Sequence, residues 1–262
     1  EIKCCLLKAK DIYAFIERKL KEGLSVRYLS DIMVLFKSVF RYASREYRIR
    51  NVLDGIVLPK KNKPEIAVMN KEQQLRIEKY LDKHPSVTSV GISISMYMGL
   101  RIGEVCALQW KDIDLEKRTL TVSKTIQRVQ CRTGARHTKL IITEPKSESS
   151  KRTIPIPDCL LPLLRQFMDN GEVYVVSGRK KPVEPRTMQY RFVKILHKAN
   201  LPSFHYHSLR HLFATRCVEL GFDVKTLSEI LGHSSVEVTL NRYIHSDMER
   251  KRTCMSLLSK CA

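Results

Sequence analysis

Apolar positions recur at helical spacing over most of this chain and alternate only in a short central part. In residues 1–58, Ile12, Phe15, Ile16 and Leu20 form one helical face. Gly23-Leu24-Ser25 breaks that helix, and Ser25 is placed to cap the next one, which turns Leu29, Ile32, Met33, Phe36, Phe40 and Ala43 inward. The polar, proline-bounded run Pro59–Pro64 reads as a linker. Asn70 with Gln73 opens a further helix as a capping box, and the apolar stretch 87–98 reads as a buried helix ending at Gly99. Ile113, Leu120–Val122, Leu140–Ile142 and Ile154–Ile156 read as short strands of one small antiparallel sheet, with Lys124–Lys139 as a hairpin or loop insertion around Thr133-Gly134. Helices follow at about 158–169 and 186–199, with a short strand at Val173–Val176 between them.

The last block, 207–243, contains three helical segments. Leu209, Leu212, Phe213, Cys217 and Leu220 mark the first, Val224, Leu227, Ile230 and Leu231 the second, and Gly221 and Gly232 suit their ends. Ser234-x-x-Glu237 is a capping box that opens the third. The expected fold class is therefore mainly α with a small antiparallel β-sheet. It divides into a helical domain at 1–58, a linker at 59–66 and a larger domain at 67–262.

Charge adds a partner to this picture. Among 262 residues, 47 are Lys or Arg against 27 acids, for a net charge of +20. The segment 1–64 holds 15 basic and 7 acidic residues, +8, which leaves +12 for the rest. Two basic lobes on a short linker suit a clamp around a nucleic acid duplex. No long apolar span or basic amphipathic anchor points to a membrane, and no secretory signal is evident, so a cytosolic location is expected. The eight cysteines include no C-x-x-C and read as small apolar residues or surface thiols. Lys37, Arg41, Arg45 and Arg48 follow one another at steps of four, four and three along the second helix, a phosphate-tracking stripe. The acid-free segment 117–143 adds Lys124, Arg128, Arg132, Arg136 and Lys139 as candidates to reach along DNA or to a neighbouring protomer.

Four motifs carry candidate chemistry: Gly99-Leu100-Arg101-Ile102-Gly103-Glu104, His207-Ser-Leu-Arg210, Leu231-Gly232-His233, and Tyr243 within LNRYIH. His207 and Arg210 lie side by side at i,i+3, beside the buried stripe of their helix. Taken alone, Arg101 and Glu104 are an ordinary i,i+3 ion pair. His205, His207 and His211 invite a metal reading, but the glutamate of the zinc-protease pattern is missing and two arginines stand nearby, so His205 and His211 are assigned to structure.

In these motifs and their order the chain resembles the tyrosine recombinases, the integrase family of site-specific DNA recombinases. Its LNRYIH ending is most similar to integrases of conjugative transposons and related phages. The resemblance implies a core-binding domain at 1–58 and a catalytic domain at 67–262 that grip DNA from two sides. The tail at 247–262, with Met248, Met255, Leu257 and Leu258, is then exchanged between protomers of a tetramer. It also implies that an N-terminal arm-binding domain precedes Glu1 in a longer protein.

For the reaction, the resemblance implies that Arg101 and Arg210 hold the non-bridging phosphate oxygens and His207 accepts the nucleophile's proton. His233 donates to a phosphate oxygen, Lys146 protonates the departing 5′ oxygen, and Glu104 orients the arginines and histidines around it. Tyr243 forms a 3′-phosphotyrosyl bond, and no metal or cofactor is required. Lys151 and, more weakly, Lys139 compete for the role of Lys146. Tyr243 stands ten residues after His233, one more than in simpler members, and Tyr206 is the other tyrosine of the block. Two rival functions are a type IB topoisomerase-like strand transferase and a non-catalytic DNA-binding regulator. The sequence leaves open whether an excision factor or a host DNA-bending protein takes part.

Overall fold

The computed structural model describes residues 6–58, 69–131, 138–144, 150–169, 171–233, 235–237, 239, 252 and 256. The chain divides into two compact units, residues 1–65 and 66–262.

The first unit holds α1 (Ala9–Lys21) and α2 (Val26–Tyr47). Ser25 caps α2 by accepting a hydrogen bond from the Tyr28 amide at 3.2 Å. Ile12, Ile16, Leu29, Met33, Phe40, Leu53 and Ile56 form the core. Phe36, expected inside, is 40% exposed and lies edge-on to Phe15. The inward stripe of α2 is correspondingly narrow.

The second unit is built around α4 (Val87–Met98), which is buried on nearly every side. Its polar residues are absorbed by a short relay. Ser95 donates to the Tyr206 hydroxyl at 2.9 Å, and Tyr206 donates to the Gly91 carbonyl at 2.8 Å. Before it, α3 (Lys71–Lys83) starts with the expected capping box of Asn70 and Gln73. After it come α5 (Ile102–Ala107), β1 (Ile113–Asp114), β2 (Thr119–Val122), β3 (Thr125–Gln130), β4 (Thr138–Thr143) and β5 (Arg152–Pro155). The helices α6 (Leu161–Phe167), α7 (Pro185–Lys198), α8 (His207–Glu219) and α9 (Val224–Leu231) follow, with short 3-10 turns at Trp110–Asp112 and Asp158–Leu160.

The single sheet expected from the sequence is two sheets. β1, β2 and β5 pair antiparallel, with Leu120 opposite both Ile113 and Ile154. β3 and β4 form a separate hairpin, with Ile126 opposite Ile142. The hairpin packs on α5, where Gly103 lies so close to the Ile126 carbonyl that a Cβ would stand 2.7 Å from it. The expected strand at Val173–Val176 is instead a turn, pinned by single bridges from Tyr174 to Gln109 and Arg179. Its valines are buried, so the apolar run marked core rather than a ladder. Leu220, expected in the α8 stripe, is 70% exposed because the helix ends at Glu219, beyond the packed layer. No helix of the described residues is long and apolar enough to cross a membrane. The linker, the Ser234 cap and the leucines and methionines of the tail lie outside the described residues.

Candidate active site

The site begins where α4 ends. Gly99 closes that helix in the left-handed conformation (φ +69°), and a Cβ there would stand 2.5 Å from the Phe213 ring. The chain turns at once, so Arg101 becomes the N-cap of α5. Its amide donates to Glu104 Oε2 at 2.9 Å and its Nη1 to Oε1 at 2.8 Å. This differs from the surface i,i+3 pair that the sequence alone would allow, because the Glu104 side chain is only 4% exposed.

A second cation explains how that carboxylate is kept buried. Arg152, the first residue of β5, donates Nη1 and Nη2 to the two Glu104 oxygens at 3.1 and 2.9 Å. Burial pushes the Glu104 carboxyl up, but hydrogen bonds from Arg152 and the charges of Arg152 and Arg101 outweigh it and hold it at about 2. Glu104 therefore orients arginines, with its hydrogen bonds running to Arg101 and Arg152. Sequence reasoning missed Arg152. The signal was present, since Arg152 stands two residues before the buried Ile154 on a strand and so points to the same, inward side. A cation at an inward strand position calls for buried acceptors to compensate it.

Three arginines converge on the last turn of α9. Arg152 Nε donates to the Ile230 carbonyl at 2.6 Å, Arg210 Nη2 to Leu231 at 2.7 Å, and Arg101 Nη2 to Gly232 at 3.0 Å. The final carbonyls of a helix have no partner within it, and they carry the negative end of the helix dipole. Here three consecutive ones receive guanidinium donors from α5, β5 and α8. Arg210 also donates Nη1 to the Gly99 carbonyl at 2.8 Å, which ties the α4–α5 turn to the same point.

Gly232 adopts the left-handed conformation (φ +64°) that ends α9, and a Cβ there would stand 2.9 Å from Arg152 Nη1. His233 follows, half-buried, with its amide bonded to the Ser228 carbonyl and Nδ1 2.8 Å from Thr239 Oγ1. The three dispersed motifs Arg101, Arg210 and His233 thus meet at one helix end.

The pair at the start of α8 is split by burial. His207 is exposed, with its ring edge-on to His211 at 4.8 Å, whereas Arg210 is 1% exposed. The expectation that both lie beside the buried stripe is corrected for Arg210, which is part of the core. Two main-chain carbonyls compensate its charge there. His211 is buried as well. Among the described residues no three His, Cys, Asp or Glu side chains stand close enough together to hold a metal ion. Tyr206 is buried, with its hydroxyl engaged in the α4 relay and its pKa pushed up by burial, so it is unsuited to attack anything.

Lys146 and Tyr243 lie outside the described residues, as do Arg132 and Arg136. Lys151 is exposed and paired with Glu144 at 2.7 Å. Of the candidate DNA contacts, Arg41, Arg45 and Arg48 are exposed on the first unit. Lys37 instead turns to its own unit and donates to the Ile56 carbonyl at 3.3 Å. Lys139 is exposed on β4 and Lys124 is half-buried. Arg128 is committed elsewhere, forking onto Glu184 before α7, with Nη2 to Oε2 at 2.7 Å. Arg128 stays exposed, and hairpin and helix share it.

Comparison with known proteins gives a consistent result. Residues 67–250 match the Phage integrase family. The chain is 30% identical to the Tyrosine recombinase XerC-like protein of Caldanaerobacter subterraneus, over 98% of this chain and 72% of that one. It is 23% identical to the ICEBs1 integrase of Bacillus subtilis, over 90% of this chain and 66% of that one. Among solved structures, the Tn1549 transposon integrase in complex with transposon right end DNA is similar. The TM-score is 0.78 at 25% identity, covering 99% of this chain and 88% of that one.

Proposed function

Since the chain belongs to the Phage integrase family, the tyrosine recombinases that cut and rejoin DNA strands, we propose that it is the site-specific recombinase of a mobile element. It integrates and excises that element through a 3′-phosphotyrosyl intermediate and a Holliday junction. The observation that carries this reading is the convergence of Arg101 with Arg210 and His233, which follow it by more than a hundred residues, on the end of α9.

The chemistry follows from charge. A phosphodiester anion repels nucleophiles, so its charge must be neutralised as the pentacoordinate transition state forms. Arg101 and Arg210 supply permanently protonated, forked donors for the non-bridging oxygens, and His233 supplies a further donor. Arg210 is covered in the free chain, so docking of the strand has to uncover it. Exposed His207 accepts the Tyr243 proton, since an imidazole titrates near neutrality and a phenol near pH 10 needs a base. Lys146 protonates the departing 5′ oxygen. The covalent bond to Tyr243 conserves the energy needed for rejoining, so no cofactor is consumed.

Residues 1–58 then act as a core-binding domain and 67–262 as the catalytic domain, closed on DNA as a homotetramer with exchanged tails. The Tn1549 integrase, solved with transposon DNA, supports duplex DNA as partner. The test is covalent capture. Wild type and Tyr243→Phe are incubated with nicked duplexes from the ends of the parent element and run on denaturing gels. A 3′-linked adduct formed by wild type alone supports the assignment. Equal adducts from both would move the nucleophile elsewhere, and tight binding without adduct would favour a DNA-binding regulator.

A further inference from the structure

A groove of about 350 Å³ runs between β5 and α9 beside His233, with room for a phosphate and its sugar. Its charged lining is Lys151, Arg152, Lys225, Glu229 and His233. Two of the three cations are committed, Arg152 to Glu104 at 2.9 Å and Lys151 to Glu144 at 2.7 Å. Lys225 is exposed and forms no ion pair among the described residues, although Glu229 stands one turn further along the same helix. A lysine preceding a glutamate by four is the weaker order for such a pair, because each charge then faces the wrong end of the helix dipole. The uncompensated charge of the groove is therefore that of Lys225.

From this we infer that the groove is a second phosphate site, in which Lys225 holds a backbone phosphate of the cut strand a few nucleotides from the one at His233. The inference rests on the recombinase reading and extends it. Six helical residues, about 9 Å of axis, separate Lys225 from Leu231, whereas phosphates of one strand recur about every 3.4 Å along a duplex. Lys225 thus addresses a different phosphate from the one being cut, within a few nucleotides of it. A compact ammonium on a flexible stem suits such a contact, which needs charge but no fixed geometry. Glu229, in the same groove, opposes the phosphate and limits how tightly the strand is held.

The test uses the full chain and the site-bearing duplex of the adduct experiment, with binding measured across a salt series. Lys225→Gln should weaken binding at low salt and reduce the slope of log affinity against log salt by about one, the loss of a single phosphate contact. Adduct yield at saturating protein should stay within a few-fold of wild type. Glu229→Gln should raise affinity. Lys117→Gln, an exposed lysine on the β1–β2 turn, is the control and should leave the slope unchanged. A Lys225→Gln slope equal to wild type, or an equal drop in the control, overturns the site. Wild type that binds but forms no adduct refutes the recombinase reading, while the slope comparison still decides whether Lys225 meets a phosphate. Wild type that binds no duplex overturns both.

Discussion

Replacing Glu104 with glutamine removes one charge from between two guanidiniums and keeps the side-chain shape. The carboxylate accepts from the Arg101 amide and Nη1 and from both Nη groups of Arg152. An amide presents one acceptor, and its NH2 would face a guanidinium donor. Two independent routes give the cost. Holding a glutamate at about 2 rather than 4.5 corresponds to roughly 3 kcal/mol of folding stability at neutral pH. Removing one partner of a buried ion pair typically costs about 3–5 kcal/mol, because the other charge is left uncompensated. Since the folded pKa is depressed, this contribution is fully present above pH 4.5 and is lost as pH falls through about 2.

The assay is urea unfolding followed by Trp110, the one tryptophan, which is 4% exposed in the second unit and reports on it locally. Glu104→Gln should lose about 3–5 kcal/mol at pH 7, and the gap to wild type should close between pH 4.5 and 2. Other carboxylates titrate in both proteins and cancel in the difference. Adding Arg152→Met should recover part of the loss, since it removes the buried guanidinium that Glu104→Gln leaves uncompensated. A single variant within about 1 kcal/mol of wild type at pH 7, or a gap independent of pH, would refute the reasoning.

Other substitutions separate structural from chemical roles. Gly99→Ala combines a left-handed backbone with a Cβ 2.5 Å from Phe213, and should cost about 2–4 kcal/mol in the same urea assay. Tyr206→Phe removes the buried hydroxyl that accepts from Ser95 and donates to the Gly91 carbonyl, and should cost about 1–3 kcal/mol, yet covalent adducts should still form. Arg128→Ala removes a half-exposed ion pair and should change stability by about 1 kcal/mol or less in urea. Burial pushes the Cys106 and Cys217 thiols up to about 12 and 11, so at pH 8 iodoacetamide should label exposed Cys159 well before either, as read by peptide mass spectrometry.

Much of this architecture was legible because it depends on local rules. The caps at Ser25 and Asn70, the glycine stops at Gly99 and Gly232 and the helical stripes all follow from neighbours within a turn or two. The errors have a common cause in tertiary placement. Val173–Val176 is apolar because it is buried, and periodicity cannot tell a core turn from a strand. Splitting of the sheet depends on which strands β2 pairs with, and the alternation within each strand carries no such information. At the site, the spacing of His207 and Arg210 placed both on one face but not the depth of that face, so the burial of Arg210 was missed. Arg152 sits beside Lys151 in sequence, and only its long-range acid distinguishes it.

The convergence at α9 has a consequence for how this chain tolerates change. The arginines bind main-chain oxygens at positions 230, 231 and 232, so the side chains there do not enter those bonds. Ile230 is exchangeable as far as these contacts go, and Leu231 is constrained only by the core it fills. Length is another matter. One residue inserted or deleted in α9 turns each carbonyl by about 100° and shifts it about 1.5 Å along the axis, so all three donors lose their partners together. The end of α9 is therefore permissive to substitution at Ile230 alone, held at Leu231 by the core and at Gly232 by its left-handed backbone, and intolerant of insertion or deletion.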